Sequence, residues 1–335
     1  MQIIQSRRTF LTGLTAAGTV GLVGAPTQTR AESPPETTRI RTSVFRKVSD
    51  CQTPFYAAED LLRSEGFSEI EFIEPASDAE SLQMLPKGVI DFDWWFAPEL
   101  VRMIDRGTPL VILSGMHTGC LELLANQDVG SVKALQGRRV GVNELNGIPH
   151  VLLKLMAANV GLDVERDIEW VVTPNSLDLL AAGKIDAFLA TPPDPQIAHD
   201  RKIGQVILRT ALDRPWAQYY CCMLAANVDF VRQYPVATKR VMRAVLKAVD
   251  LCVSDPQTAA RRSADKGFAS SYDYALRTLG AARYDVWREF DPEDTLRFYA
   301  LRMHELGMIA ASPQEIIAKG TNWRFLNELK RELKL

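Results

Sequence analysis

The sequence lacks the motifs by which many enzymes are recognised. It has only four histidines, whose scattered positions give no zinc-ligand spacing. It contains no Gly-x-Ser-x-Gly elbow, no phosphate-binding loop with lysine and no His-Glu-x-x-His pair. These absences argue against the common hydrolases, nucleotide-binding enzymes and zinc proteases. We therefore expect a protein without a cofactor or a bound metal ion.

An excess of basic charge is also absent. The chain has 39 Lys and Arg against 41 Asp and Glu, a net charge of −2. Proteins that hold nucleic acid or an anionic membrane surface need basic patches, so neither partner is expected. A hydrophobic content of 47% is ordinary for a globular protein.

Cysteine is scarce and odd in number. The five residues are Cys51, Cys120, Cys221, Cys222 and Cys252. The neighbours Cys221 and Cys222 are poorly placed to bond each other, because that disulfide would strain the peptide between them. We expect buried free thiols, with a metal-binding role for Cys221 and Cys222 as the alternative.

The N-terminus carries a twin-arginine export signature. Ser6-Arg7-Arg8-Thr9-Phe10-Leu11 precedes an uncharged stretch that ends at Thr29, and Ala31 suits a cleavage site. Residues 1–31 are therefore predicted to be a signal peptide, with a disordered basic N-terminus as the alternative. Removing them takes away three arginines and no acid, which leaves 36 basic against 41 acidic residues, or −5. The mature protein is expected in the periplasm.

Alternating strands and helices follow a polar lead at 32–38 that is expected to be disordered. Such alternation predicts parallel sheets with helical crossovers. Lys87-Gly88-Val89-Ile90-Asp91-Phe92 is echoed by Ala182-Gly183-Lys184-Ile185-Asp186-Ala187-Phe188, which favours two similarly built lobes. The predicted strands are 40–48, 69–73, 89–92, 110–113, 121–125, 139–142, 168–172, 185–189, 205–208 and 219–225. From Phe230 the chain is predicted to be helical.

Ligands of open parallel sheets bind at the carboxyl ends of the strands, and residues 143–150 follow one such end. Asn146 could cap the next helix, whose first amides would attract an anion, and His150 could add a tunable charge. The alternative is an ordinary capped helix that binds nothing.

Trp94-Trp95-Phe96 also follows a predicted strand. Consecutive strand residues point to opposite faces, so three aromatics cannot all enter one core. In a turn beyond the strand, one or two of them could stack on a ligand. Alternatively, one is buried and one is half-exposed. Asp93 could hold a ligand or cap a helix.

Several phrases resemble the type II periplasmic solute-binding proteins of ABC transporters. They are similar to the nitrate, sulfonate and taurine group, which includes thiamine-pyrimidine precursor binders. The phrases are Thr53-Pro54-Phe55-Tyr56-Ala57-Ala58-Glu59, Gly88-Val89-Ile90-Asp91-Phe92, Leu135-Gln136-Gly137-Arg138-Arg139-Val140-Gly141-Val142 and Cys222-Met223-Leu224-Ala225-Ala226-Asn227-Val228-Asp229-Phe230-Val231.

The resemblance implies a two-lobed α/β fold in which each lobe is a mostly parallel sheet flanked by helices. Lobe one would be 39–118 and 222–335, lobe two 119–221, with the ligand in the cleft between them. Carried over by motif, the ligand-binding residues would be Asp50, Gln52, Phe55, Trp94, Trp95, His117, Asn143, Asn146, His150 and Thr191, joined by Trp216 and Tyr219. The implied protein is a monomer that delivers a small, anionic organic solute to an inner-membrane ABC permease and its ATPase.

Two other functions stay open. The fungal thiamine-pyrimidine synthase, an enzyme, is similar around Tyr219-Tyr220-Cys221-Cys222-Met223, but only two cysteines of its denser, iron-handling cluster are matched here. The alternative is therefore a metal-dependent enzyme that uses Cys221 and Cys222. A ligand-loaded sensor partner of a membrane kinase would have the same sequence features as a transport receptor.

Overall fold

The computed structural model describes residues 32–46 and 50–333. The predicted signal peptide, 1–31, lies outside the described residues. Within the described part of the chain, no helix has the length and apolar character needed to cross a membrane.

The strands of the described residues are β1 Arg39–Ser43, β2 Glu69–Ile73, β3 Phe92–Phe96, β4 Leu110–His117, β5 Glu122–Ala125, β6 Arg138–Val142, β7 Ile168–Val172, β8 Ala187–Ala190, β9 Gln205–Arg209 and β10 Cys222–Asn227. The α-helices are α1 Thr53–Ala57, α2 Glu59–Ser64, α3 Asp78–Met84, α4 Ala97–Asp105, α5 Ile148–Asn159, α6 Ser176–Ala181, α7 Asp194–Arg201, α8 Val228–Gln233, α9 Pro235–Ser254, α10 Pro256–Asp265, α11 Tyr272–Ala281, α12 Pro292–Glu305, α13 Pro313–Gly320 and α14 Arg324–Glu332. Short 3₁₀ turns lie at Asp50–Gln52, Val132–Leu135, Trp216–Gln218 and Asp285–Arg288.

The strands form two mixed five-stranded sheets. The first has the order β2-β1-β3-β10-β4, and β10 runs antiparallel to both of its neighbours. The second has the order β7-β6-β8-β5-β9, in which β5 is the reversed strand. The first sheet is built from β1 to β4 and from β10, and the second from β5 to β9. The chain therefore passes from the first sheet to the second and back again. The predicted two-lobed α/β fold is confirmed, and the residue limits of the lobes stay predictions.

The repeated phrase builds the same contact in each lobe. In the first sheet, the Asp91 carboxylate accepts the backbone N–H of Arg41 at 2.8 Å and also binds its guanidinium. In the second sheet, Asp186 accepts the backbone N–H of Arg139 at 2.9 Å and binds that guanidinium. The first pair ties β1 to the segment that leads into β3, and the second ties β6 to the segment that leads into β8. The expected similarity of the lobes therefore extends to individual side chains.

The third strand lies further along the chain than expected. The predicted strand was 89–92, but Val89 is still turning at the end of α3, where its amide bonds back to that helix. The extended segment is Phe92–Phe96, so the aromatics lie within the strand and not in a turn beyond it. Trp94 and Trp95 are both buried, with 2% and 8% of their surfaces exposed. A sheet covered on both faces accepts large side chains on each, which is why neither is half-exposed.

Glu36 holds the N-terminal lead against the rest of the chain, although 32–38 was expected to be disordered. The Glu36 carboxylate accepts the backbone N–H groups of Val236 and Ala237 at 2.9 and 2.8 Å. These amides open α9, and a helix N-terminus favours negative charge. The helix itself follows the predicted spacing, since Val241 and Val245 are fully buried.

Gly119 lies where the chain first leaves the first sheet, and it has little free space. Its φ is +61°, and a Cβ built there would lie 2.2 Å from the Cα of Ala211. Gly137 has a similar φ of +72° but no atom within 4 Å of such a Cβ. The two glycines therefore share backbone strain and differ in packing.

We predict that Gly119→Ala destabilises the protein far more than Gly137→Ala. Both substitutions place alanine in the left-handed region, at a cost of about 1–2 kcal/mol. Gly119→Ala adds backbone overpacking, typically about 1–3 kcal/mol more. Urea unfolding of both variants measures the difference. Equal free energies of unfolding would contradict the crowding described at this crossing.

Candidate functional site

Four of the predicted site residues, Gln52, Phe55, Trp94 and His117, meet around Trp94 in the middle of β3. The side-chain amide of Gln52 donates to the Trp94 carbonyl at 3.3 Å. The Phe55 ring meets Trp94 edge-on with centroids 6.3 Å apart. The centroid of the His117 ring lies 5.6 Å from that of Trp94, with the two rings tilted. The four side chains form one aromatic and polar group.

Trp94 carries a hydrogen-bond donor without an acceptor. Its indole Nε1 is buried and has no partner among the described residues. By contrast, the indole of Trp95 donates to the Asp93 carboxylate at 2.8 Å. An unmatched buried donor costs stability, so the Trp94 N–H is a candidate contact for an acceptor brought by a ligand.

Asp93 is occupied by neighbouring residues. Its carboxylate accepts from the Ser43 hydroxyl at 2.7 Å, from the Trp94 amide at 2.8 Å and from the Trp95 indole. Burial raises the pKa of Asp93 to about 6, although the hydrogen bonds from these donors lower it in part. The carboxylate thus orients the two tryptophans, and it neither caps the following helix nor faces a ligand directly.

Asp50 is also engaged internally. It is 1% exposed, and its carboxylate accepts the backbone N–H of Ser270 at 2.9 Å as well as the Ser270 hydroxyl. Burial raises the pKa of Asp50. The residue ties the loop after β1 to the segment before α11, so its role at the site is to hold that loop.

On the second lobe, Asn143 and Asn146 are exposed at the predicted anion loop. Asn146 does not cap the helix as suggested. The N-cap of α5 is Gly147, which has no side chain to accept the helix amides. Asn146 instead has a φ of +63°, and its backbone N–H donates to Nδ1 of His150 at 2.7 Å. The helix start is left open to an acceptor from elsewhere.

His150 does not supply the suggested tunable charge. Burial lowers its pKa to about 4, and Lys154 adds to this shift by repulsion. The imidazole is therefore neutral at pH 7. Because Nδ1 accepts the Asn146 amide, the proton lies on Nε2, which is buried and has no partner within the described chain. Its ring is fixed edge-on to Trp170 with centroids 4.4 Å apart.

The remaining candidates lie elsewhere. The Thr191 carbonyl accepts the Asp194 amide at the start of α7. Tyr219 stacks on Phe298 with centroids 3.9 Å apart, and Trp216 meets the same ring edge-on. Tyr219 lines an open surface groove of about 750 Å³. Among the described residues, the ring contacts of Trp216 and Tyr219 are with Phe298 and Tyr299 and not with the Trp94 group.

Two contacts that the sequence did not reveal join the lobes. Arg102 of α4 donates to the Asn146 carbonyl of the anion loop. On α11, Arg277 donates to both carboxylate oxygens of Asp200 at 2.9 and 3.0 Å and to the carbonyl of Gln196. The partners are 44 to 81 residues apart, and no local pattern could have paired them.

A buried group of cysteines lies beside His117. All five described cysteines are buried and free, as expected. Cys120 and Cys221 approach to 3.8 Å between sulfur atoms. Cys51, His117 and Cys120 each offer a ligand atom, and these three atoms lie within 4.8 Å of one another. Thiols and an imidazole at this separation are a set of donors that could hold a metal ion.

These features can be compared with known proteins. The model of the NMT1-like family matches residues 33–266, more than half of the chain. The chain belongs to the NMT1-like family. A protein of Haemophilus influenzae named for thiamine biosynthesis is 28% identical over 148 residues, which are 41% of this chain and 46% of that protein. The match thus spans about half the length of that relative.

Solved structures share the fold at low identity. The periplasmic nitrate-binding protein NrtA of Synechocystis PCC 6803 is 16% identical, with a TM-score of 0.75 over 90% of each chain. The alkanesulfonate-binding protein SsuA of Xanthomonas axonopodis pv. citri, bound to MOPS, is 15% identical with a TM-score of 0.67, covering 86% of this chain and 99% of that one. The NMT1-like chain therefore has the periplasmic-binding-protein fold that its sequence resembled.

Asp93 yields a prediction about pH. Because its folded-state pKa is raised from 3.8 to about 6, its contribution is present below pH 4 and is lost as the pH rises through 6. The free energy of unfolding of the wild type minus that of Asp93→Asn should fall by about 2 kcal/mol from pH 4 to pH 7. Urea unfolding across this range measures it. The exposed Asp229→Asn is the control, and a pH-independent difference for Asp93→Asn would refute the buried charge.

Proposed function

We propose that this NMT1-like protein is the substrate-binding component of an ABC transporter. It captures a small organic anion, a sulfonate or an aromatic carboxylate, between its lobes and presents it to an inner-membrane permease and its ATPase. Closure on the ligand would shift an open–closed equilibrium, so affinity depends on contacts that form only in the closed cleft.

The observation that carries this proposal is a pair of unmatched buried donors, one in each lobe. Trp94 offers its indole N–H and neutral His150 offers its Nε2–H, and neither has an acceptor among the described residues. Both groups can only donate, so they favour a ligand rich in acceptor oxygens, such as a carboxylate or sulfonate. The uncapped start of α5 adds backbone donors and the positive end of a helix dipole.

The names of structural neighbours support the same ligand class. NrtA is named for nitrate and SsuA for alkanesulfonates. Nitrate and the sulfonate group both carry acceptor oxygens around one central atom. Periplasmic delivery rests on the twin-arginine signal predicted for residues 1–31. We propose a monomer, as expected for a receptor that docks to its permease in either conformation.

A second candidate is a metal-dependent enzyme related to thiamine-pyrimidine synthases. The similarity to a protein named for thiamine biosynthesis favours it, as does the proximity of Cys221 to Cys120. A pyrimidine ligand would connect both functions. Turnover of a pyrimidine precursor by the purified protein would favour the enzyme over the receptor.

Trp94→Phe tests the solute site. It keeps the aromatic packing and removes only the indole N–H, so affinity for an anionic solute should fall about 10- to 100-fold, the range for a hydrogen bond to a charged acceptor. A thermal-shift screen of sulfonates, aromatic carboxylates and pyrimidines identifies the solute, and calorimetry measures the affinity.

Trp323→Phe is the matched control, because its indole donates to Glu293 on the outer helices. It should bind the solute as the wild type does. If no compound in the screen raises the melting temperature, or if both variants bind equally well, Trp94 is not a ligand contact.

Arg277→Ala tests closure. It removes the bond from α11 to Asp200 on α7, a surface ion pair worth up to about 1 kcal/mol. We expect a larger radius of gyration by small-angle scattering and a solute affinity about two- to fivefold lower. Arg302→Ala is the control, since Arg302 pairs with Glu305 inside α12. An unchanged radius and affinity would show that the Arg277 contact does not hold the lobes together.

A further inference from the structure

Three donor groups from separate segments meet at the junction of the lobes. Cys51 lies in the 3₁₀ turn after β1, His117 ends β4, and Cys120 follows the first crossing. Their exposed fractions are 4%, 0% and 7%. One ligand atom from each lies within 4.8 Å of the other two. Water is excluded from a group of side chains that would ordinarily be hydrated or paired.

The His117 ring is oriented as a metal ligand would be. Its Nδ1 lies 2.8 Å from the carbonyl oxygen of Gly119, and a carbonyl can only accept, so Nδ1 carries the proton. In the neutral ring Nε2 then holds a free lone pair. That atom is buried and has no partner among the described residues. A backbone carbonyl that fixes the tautomer of a histidine is the usual outer contact of a metal-bound imidazole.

The sulfur atoms are not committed to a disulfide. Cys120 and Cys221 are 3.8 Å apart, whereas a disulfide needs about 2.05 Å. The Cys51 sulfur lies within 4.8 Å of a ligand atom of Cys120 and of His117, which places a third thiol at the edge of the same group.

We propose that Cys51, His117 and Cys120 bind one zinc ion. A tetrahedral zinc with bonds of about 2.3 Å to sulfur and about 2.0 Å to nitrogen separates its donors by roughly 3.5–3.8 Å, which the observed group reaches with little movement. Cys221, whose sulfur lies 3.8 Å from that of Cys120, and its neighbour Cys222 are further donors for the fourth position.

Charge and donor softness favour zinc. Two thiolates and one neutral imidazole around Zn²⁺ sum to no net charge, and a third thiolate in the fourth position would bring the sum only to −1, which suits a site without water. The donor set has no carboxylate, so magnesium, calcium and manganese are disfavoured. Copper(I) accepts the same donors, but with one positive charge fewer it leaves the site one unit more negative than zinc does.

The proposal is independent of the solute site. The zinc would tie the loop after β1 to the first crossing and would occupy Nε2 of His117. His117 then leaves the solute-binding set, while Trp94 and His150 stay in it. A failure of either proposal leaves the other intact.

The test is metal analysis of the full exported chain, purified without chelators and under anaerobic conditions. We expect about one zinc per chain in the wild type, and loss to below about one tenth in Cys51→Ser, Cys120→Ser and His117→Gln. Cys252→Ser is the matched control, because Cys252 is equally buried but lies alone on α9. It should keep the metal.

X-ray absorption on the wild type does not depend on the folding of any variant. We expect two or three sulfur atoms at about 2.3 Å and one nitrogen at about 2.0 Å around zinc. Reconstitution of the apoprotein with Zn²⁺ should raise its melting temperature, and Cu⁺ in a parallel sample should raise it less.

Four results would overturn the proposal. They are a wild type that takes up no zinc after reconstitution under reducing conditions, a zinc shell without sulfur, a native disulfide between Cys120 and Cys221, and metal that is lost in Cys221→Ser but retained in Cys51→Ser. The last result would assign the metal to Cys221 and its neighbour Cys222 instead.

Discussion

One hydrogen bond joins the two segments in which the chain crosses between the sheets, and the arrangement of both sheets depends on it. The backbone N–H of Cys221 donates to the carbonyl of His117 at 2.9 Å, so the outgoing and returning strands lie side by side where the lobes join. A pair of backbone hydrogen bonds, one in each direction between Thr118 and Arg283, fastens the outgoing strand to the C-terminal segment. Because β10 returns into the middle of the first sheet, every element after residue 222 depends on this junction.

The same junction brings chemistry together. It places Cys120 next to Cys221 and sets His117 between Trp94 and Tyr284, whose hydroxyl donates to the Cys51 carbonyl at 2.7 Å. A narrow, buried crossing needs side chains that pack tightly and leave no unpaired polar atom. The free lone pair of His117 breaks that rule, and for this reason we assign the cluster a metal.

The proposed zinc site also bears on export. Twin-arginine export carries proteins that are already folded, and a receptor without a resident group seldom needs it. If residues 1–31 act as predicted, a zinc ion bound by buried thiols would be loaded before export. The thiols would then already be bound to zinc when they enter an oxidising compartment. The proposed solute, by contrast, would bind after export, at the donors of Trp94 and His150.

The sequence was sufficient for the features that local chemistry controls. It predicted the alternation of strands and helices, the second strand at 69–73 and the seventh at 168–172, and the echo that became the Arg41–Asp91 and Arg139–Asp186 pairs. It failed at β3, because Val89 continues a turn and the tryptophans enter a sheet covered on both faces. It also assigned His150 a charge that burial removes.

By itself, the sequence determined the two-lobed architecture and the aromatic and polar segments at the strand ends, since side-chain periodicity and turn chemistry act over a few residues. Only the tertiary structure decided which of these segments meet. The Arg277–Asp200 bond, the loop tied by Ser270 to Asp50, and the approach of Cys51 to Cys120 join residues 69 to 220 positions apart. Their contact depends on the double crossing of the chain, and burial at that crossing sets the protonation and hydrogen bonding of the side chains, which no local pattern records.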